Sequence, residues 1–340
     1  MEFTDILSRW YSVKKRILPW RLTKDPYLIW LSEIILQQTQ IKQGLPYYQK
    51  FATKYPTVFK LANANEKDIL KLWQGLGYYS RARNLHSTAI HIVENLNGEF
   101  PKTYKDLIKL KGVGDYTASA IASICYEEPC AVVDGNVYRV LSRYFGINTP
   151  INTSKGIKEF KALAQNLLPE TNIGDYNQAI MEFGATQCKP TSPNCSICPL
   201  NDSCVALKTN IINTLPVKKK TLKVKKRYIN FLVYISVDYK TILEKREGKG
   251  IWQGLYQFPF IETESSVNYE VIKPLLPIEA KDVSLYNEND IVHKLSHQHL
   301  YAKFWIINIE KLTQKGYKIS EIRTHPVPVL ISNFIEAFNF

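Results

Sequence analysis

The stretch Leu110-Lys111-Gly112-Val113-Gly114-Asp115-Tyr116-Thr117-Ala118 decides the fold. It reads as the end of one helix, a tight glycine hairpin and the start of another. Gly112 and Gly114 are expected to let the backbone turn at positive φ and to leave no Cβ in the way, so that successive N–H groups converge on one anionic oxygen. The helix beginning near Asp115 adds its positive dipole end, and a phosphate would sit there without any side-chain charge. Downstream, Val132-Val133-Asp134-Gly135-Asn136-Val137 places a lone carboxylate at a helix head. A Gly-Val-Gly turn alone also suits any helix–helix connection, so the flanking chain has to decide.

Outward from the hairpin the periodicity is helical. Leu28, Leu31, Ile34 and Ile35 give a mostly buried helix over 27–40, with Glu33 inside it, and further helices fall near 43–54, 56–63, 65–74, 80–96, 103–110 and 115–125. Asp134 stands at the N-cap of an amphipathic helix, and two more cover 157–168 and 176–183. No stretch before residue 205 alternates as a strand does. Residues 1–215 are therefore expected to form one all-α region. Residues 216–227 carry seven cations and no acid, which reads as an extended, solvated linker. Beyond it, Tyr228–Ile235 and Tyr301–Ile307 are aromatic and β-branched, so 228–340 is expected to be a separate α+β domain. No solenoid-length repeat is visible.

A chain of 340 residues exceeds the usual single-domain size. Its net charge of +13 makes a polyanionic partner more plausible than an acidic small molecule. Glu2 and Asp5 near the start and the lack of a long apolar run point away from a secretory signal or a membrane span, hence to the cytoplasm. There, six cysteines are free thiols or metal ligands rather than disulfides. Four of them, Cys188, Cys195, Cys198 and Cys204, lie in a loop over 188–204 studded with Pro190, Pro193 and Pro199. Such a loop cannot order itself by apolar burial, so its order comes from a metal centre, and four thiolates suit a [4Fe-4S] cluster or zinc. Lys189 and Lys208 flank it as cations available to phosphates. Cys125 and Cys130 read as small core hydrophobes.

Two carboxylates sit in contrasting settings. Glu33, between Leu31 and Ile34, should have a raised pKa if buried, whereas Asp134, among helix-start N–H groups, should stay ionised. Such a pair can protonate a leaving base and stabilise an oxocarbenium ion. The plainer alternatives are a buried hydrogen-bonder and a simple N-cap.

Several motifs carry a family resemblance. The hairpin with its downstream aspartate resembles the helix-hairpin-helix of the DNA glycosylase superfamily. The C-x6-C-x2-C-x5-C loop is similar to the iron–sulfur loop of the endonuclease III and MutY families. Trp20-Arg21, Asp25-Pro26-Tyr27 and Trp30-Leu31-Ser32-Glu33-Ile34-Ile35-Leu36-Gln37-Gln38-Thr39-Gln40 resemble the N-terminal signature of MutY-type adenine DNA glycosylases. That resemblance implies that Glu33 protonates adenine at N7, Asp134 stabilises the cationic sugar, Asn136 positions the catalytic groups and Tyr116 lies close to the sugar. It implies that Trp20 and Arg21 line the base pocket. Gln38 and the loop Gly75-Leu76-Gly77-Tyr78-Tyr79-Ser80-Arg81 would invade the duplex, with Leu76 between two glycines as an apolar wedge. Relatives that also cut the strand carry a Schiff-base lysine where Tyr116 stands, and Lys111 does not match that site, so a monofunctional enzyme is implied.

Leu243–Pro259 is similar to the opening of the Nudix-like domain of the MutY family, but the acidic helix box of true Nudix hydrolases does not follow. In that family the domain reads 8-oxoguanine through an H-x-F-S-H loop, here His293-Lys294-Leu295-Ser296-His297, where leucine replaces the phenylalanine and removes its aromatic stacking. Ser296 and His297 remain as polar contacts, and the three histidines His293, His297 and His299 lack an acidic partner for a metal site. The resemblance thus implies a multidomain protein: an all-α helix-hairpin-helix glycosylase region with a [4Fe-4S] cluster loop, plus an α+β Nudix-like domain. It implies a monomer that acts on duplex DNA with A:8-oxoguanine or A:G mispairs. The rivals are an endonuclease III-like glycosylase and lyase acting on oxidised pyrimidines, and a cluster-containing DNA-binding protein without activity.

Overall fold

A computed structural model describes residues 2–219, 224–276, 282–312, 314–338 and 340. The chain divides into two compact units, one of Met1–Asn63 with Asn84–Lys220 and one of Ala64–Arg83 with Thr221–Phe340.

The first unit is helical, with no strand among its described residues. The helices that build its centre are α1 (Phe3–Lys14), α2 (Pro26–Leu36), α3 (Asp115–Tyr126), α4 (Gly135–Phe145), α5 (Ser154–Asn166) and α6 (Ile173–Thr186). α6 is the hub, packing against α1, α3 and α4, while α2 lies on α3. Small residues permit this closeness: a Cβ on Gly174 would stand 2.7 Å from the Ser123 carbonyl oxygen, and one on Gly184 2.8 Å from the Asn136 carbonyl oxygen. α2 starts where the sequence dictates, with Asp25 accepting the Tyr27 amide at 2.8 Å and Pro26 at the first helical position. It ends at Leu36 rather than running to Gln40, because Gln38 turns to φ 53°.

The second unit holds a five-stranded sheet from β1 (Lys225–Ser236), β2 (Phe260–Thr263), β3 (Asp282–Leu285), β4 (Ile291–Lys294) and β5 (Gln298–Ile309). The order is β2-β1-β5-β3, with β4 also pairing β5; β1 and β5 run parallel and the other pairs antiparallel. The two central strands are apolar on both faces, as strands covered on both sides must be. Phe304 stacks on Phe334 of α7 (Val329–Ala337) at 4.0 Å, while Leu232, Tyr234, Trp305 and Ile307 fill the opposite side with Ile242 and Ile272.

Two sequence expectations differ from this. The basic stretch ends sooner than 227, since Lys225, Lys226 and Arg227 already pair with Gln298, His299 and Leu300 in the ladder. Arg227 also bonds Glu262 at 2.6 Å. At its other end the Val217 carbonyl accepts the Ile151 amide, and residues 220–223 of the expected linker lie outside the described residues. The second difference is that residues 64–83 belong with the C-terminal unit. Gln74 bonds Ser332 at 3.0 Å, and a Cβ on Gly254 would stand 3.2 Å from Leu70.

Candidate active site

In the first unit a cavity of about 170 Å³ opens between α2, α3, α4 and α6. Glu33, Tyr116, Asp134 and Asn136 all line it, as do Trp20 and Arg21. Residues more than a hundred positions apart are brought together because α3, which starts with the hairpin, is sandwiched by α2 and α6.

Glu33 is 8% exposed within a helix whose Leu31 and Ile34 are buried. Burial raises its pKa to about 7; the Tyr116 hydroxyl lowers it, the Asp134 charge raises it and Arg21 lowers it. Tyr116 donates to Met181 Sδ at 3.2 Å, and burial with the two neighbouring carboxylates holds its hydroxyl well above the ordinary range.

Asp134 caps α4. Its Oδ1 accepts the Asn136 and Val137 amides, both at 2.8 Å, and Oδ2 accepts Asn136 Nδ2 at 2.7 Å. Burial raises its pKa, opposed by these three bonds and by Arg139. All three partners donate, so the site is built for a carboxylate. From Asn136 the bonding continues: Arg139 Nη2 donates to Asn136 Oδ1 at 2.8 Å, and Arg139 Nε to the Cys188 carbonyl at 2.8 Å. Arg143, one turn on, donates to the Lys189 and Pro190 carbonyls at 2.7 and 3.0 Å and lies 3.5 Å from Cys188 Sγ.

A third carboxylate escaped the sequence reading. Glu182 on α6 is 1% exposed and forms a wall of the cavity with Arg16 and Arg21. Arg16 grips it through Nε and Nη2 at 2.6 and 2.7 Å, and Arg21 Nη2 reaches it at 2.8 Å. Burial alone would raise its pKa, but hydrogen bonds and charge from the two arginines hold it at about 2. The only sequence signal was an acid in an otherwise apolar run, Ala179-Ile180-Met181-Glu182-Phe183, the same signal that marks Glu33.

The hairpin matches expectation at one glycine and not at the other. Gly112 has φ 80°, and a Cβ there would stand 2.8 Å from Asn84 Cβ. Gly114 instead sits at φ −95°, ψ 179°, in ordinary extended backbone, and a Cβ would meet nothing within 4 Å. As the N-cap of α3 it needs no left-handed turn.

Cys188, Cys195, Cys198 and Cys204 line one small space with Arg143. Burial and the surrounding sulfurs push the Cys198 thiol up to about 11, and burial with Cys188 and Cys204 raises Cys195. Four thiols so crowded repel as thiolates unless cations lie between them, so the donor set fits a metal cluster. Among the described residues no group of three His, Cys, Asp or Glu side chains is placed to hold a single metal ion.

In the second unit Gly75, Gly77 and Tyr78 all have positive φ, 102°, 73° and 48°. The resulting loop turns Leu76 inward, leaving it 6% exposed, so Leu76 is no protruding wedge here. Tyr78, 47% exposed, stands out instead, its ring 5.6 Å from the Arg81 guanidinium. Its hydroxyl hydrogen-bonds Ser296. Ser296 and His297 are exposed at the turn between β4 and β5, closed by Leu295 N–H donating to the Gln298 carbonyl at 2.9 Å. A cavity of about 630 Å³ lies here, lined by Leu76, Tyr78, Trp252, Leu295, Ser296 and His297 among others.

Comparison with known proteins finds three matching family models. Residues 31–166 match the HhH-GPD superfamily of base excision DNA repair proteins, 188–204 the iron-sulfur binding domain of endonuclease III, and 230–337 the NUDIX domain. An adenine DNA glycosylase of Buchnera aphidicola from Schizaphis graminum is 33% identical over 99% of this chain and 98% of its own. The human adenine DNA glycosylase is 44% identical over 60% of this chain and 39% of its own. Among solved structures, a thermostable thymine-DNA glycosylase aligns with TM-score 0.57 at 30% identity, over 61% of this chain and 95% of that one. An endonuclease III–DNA complex shares the fold at TM-score 0.53 and 22% identity, over 61% of this chain and 94% of that one.

Proposed function

The chain belongs to the adenine DNA glycosylases of the HhH-GPD superfamily, and we propose that its substrate is adenine mispaired with 8-oxoguanine or guanine in duplex DNA. One observation carries the chemistry: Glu33, raised to about 7, and Asp134, held by three donors, share one cavity. Adenine is a poor leaving group unless it is protonated. An uncharged Glu33 at neutral pH delivers that proton to a ring nitrogen as the N-glycosidic bond lengthens. Positive charge then grows on the sugar, and the Asp134 carboxylate, fixed by Asn136 and the start of α4, stabilises it without reorganising. Water completes the hydrolysis, and Glu33 regains a proton from solvent. Glu182 accepts four hydrogen bonds from Arg16 and Arg21 and so fixes Arg21 in the cavity wall.

No lysine is among the residues lining the cavity, and Tyr116 cannot form an imine, so the product is an abasic site in an uncut strand. Extruding the base costs less from a mispair, which supplies part of the selectivity. Reading the opposite base falls to Tyr78, Ser296 and His297. Cys188, Cys195, Cys198 and Cys204 would hold the iron–sulfur cluster, which would order the 188–204 loop, and Arg139 and Arg143 tie that loop to the helix carrying Asn136. The protein acts as a monomer on chromosomal DNA in the cytoplasm.

Base release from duplexes with A:8-oxoguanine, A:G and A:T pairs, with strand scission read before and after alkali, tests this. Adenine should leave the first two and not the third, with scission only after alkali. Scission without alkali, or equal release from A:T, overturns it.

A further inference from the structure

Asp115 occupies the first position of α3, directly after its N-cap Gly114, where its charge lies beside the free helix-start amides. The N-cap, a glycine, has no side chain to offer those amides. The carboxylate is drawn aside: Oδ1 accepts the Tyr104 hydroxyl at 2.9 Å, and Lys161 Nζ reaches Oδ1 and Oδ2 at 3.1 and 3.0 Å. Lys161 comes from α5, and its ammonium also donates to Ser119 Oγ at 3.0 Å and to the Ala131 carbonyl at 2.8 Å. Its three protons are thus committed among four acceptors. Asp115 is nevertheless half exposed, a negative charge at the lip of a hairpin meant for a polyanion.

We propose that Lys161 is a positioning residue for DNA: it neutralises Asp115 and holds its carboxylate off the amides at the start of α3, leaving them to a backbone phosphate. The inference rests on duplex DNA being the substrate proposed above and on the glycine hairpin with the start of α3 being the phosphate seat expected from its sequence. A freed carboxylate would both compete for those amides and repel the phosphate. One uncompensated charge about 4 Å from another costs roughly fivefold in affinity even at the dielectric of bulk water, and more where water is displaced.

The test uses the full chain with its cluster and an undamaged 20-base-pair duplex, with affinity measured at several salt concentrations. Lys161→Met should weaken binding about tenfold, most at low salt. The double variant Asp115→Asn/Lys161→Met should return to within about twofold of the natural chain, and Asp115→Asn alone should bind a few-fold more tightly. A double variant as weak as Lys161→Met, or a Lys161→Met that binds normally, overturns the proposal. If Lys161→Met does not fold, Asp115→Asn alone decides, since weaker binding contradicts the scheme. Gly114→Val, whose Cβ meets nothing in the protein, separates the two readings. If it loses affinity while the charge variants fail, only the role of Lys161 falls; if neither moves, the phosphate seat falls as well.

Discussion

The two cavities handle polarity in opposite ways. In the first unit three carboxylates are buried among aromatic and aliphatic side chains, and each is controlled: Glu33 by burial, Asp134 by N–H donors, Glu182 by two guanidinium groups. In the second, hydroxyls and imidazoles at an exposed turn sit beside the cations Arg83 and Lys294, and hydroxyl meets hydroxyl between Tyr78 and Ser296. Bond cleavage needs proton affinities shifted by withdrawal from water, whereas reading a base needs groups that can exchange partners at little cost. Neutral hydrogen bonds at a surface contribute about 1 kcal/mol, but an unpaired buried charge costs several.

Five outcomes sharpen or break this contrast. Glu33→Gln should lower single-turnover adenine release by about a thousandfold while leaving duplex affinity within a few-fold. Replacing both Arg16 and Arg21 by Ala leaves Glu182 a buried charge without a cation, and should cost roughly 3–5 kcal/mol in denaturant unfolding at pH 7. The Glu182 contribution is present above the unfolded carboxylate pKa and is lost as pH falls through about 2.

Glu33 has the opposite sign. Its folded pKa lies above its unfolded one, so the stability it supplies is full below pH 4.5 and lost as pH rises through about 7. Glu33→Gln should therefore be more stable than the natural chain at pH 8, by up to roughly 3 kcal/mol, and indistinguishable at pH 4. Adenine release by the natural chain should fall tenfold per pH unit above about 7. A flat profile would show that Glu33 is not the proton donor. The smallest effect belongs to the exposed turn: Ser296→Ala should reduce the preference for A:8-oxoguanine over A:G by about fivefold, one neutral hydrogen bond, and lower stability by at most about 1 kcal/mol. Comparable destabilisation at Ser296 and at the Arg16 and Arg21 pair would erase the distinction between the cavities.

Much of this was legible in the sequence. A glycine hairpin, an acid inside an apolar helix, an aspartate at a helix start and four cysteines among prolines are local patterns, and local patterns report local physics. Periodicity likewise separated the helical region from the strands, because a helix and a strand bury their faces at different spacings. What the sequence did not reveal depends on contacts between distant residues. Gly114 looked like a second left-handed turn and is an extended N-cap; Leu76 looked like a wedge and is buried. Lys161 meets Asp115 across 46 positions, and Arg16 and Arg21 meet Glu182 across more than 160. Which charge pairs with which, and hence which carboxylate holds a proton at neutral pH, is fixed only when packing decides what is withdrawn from water.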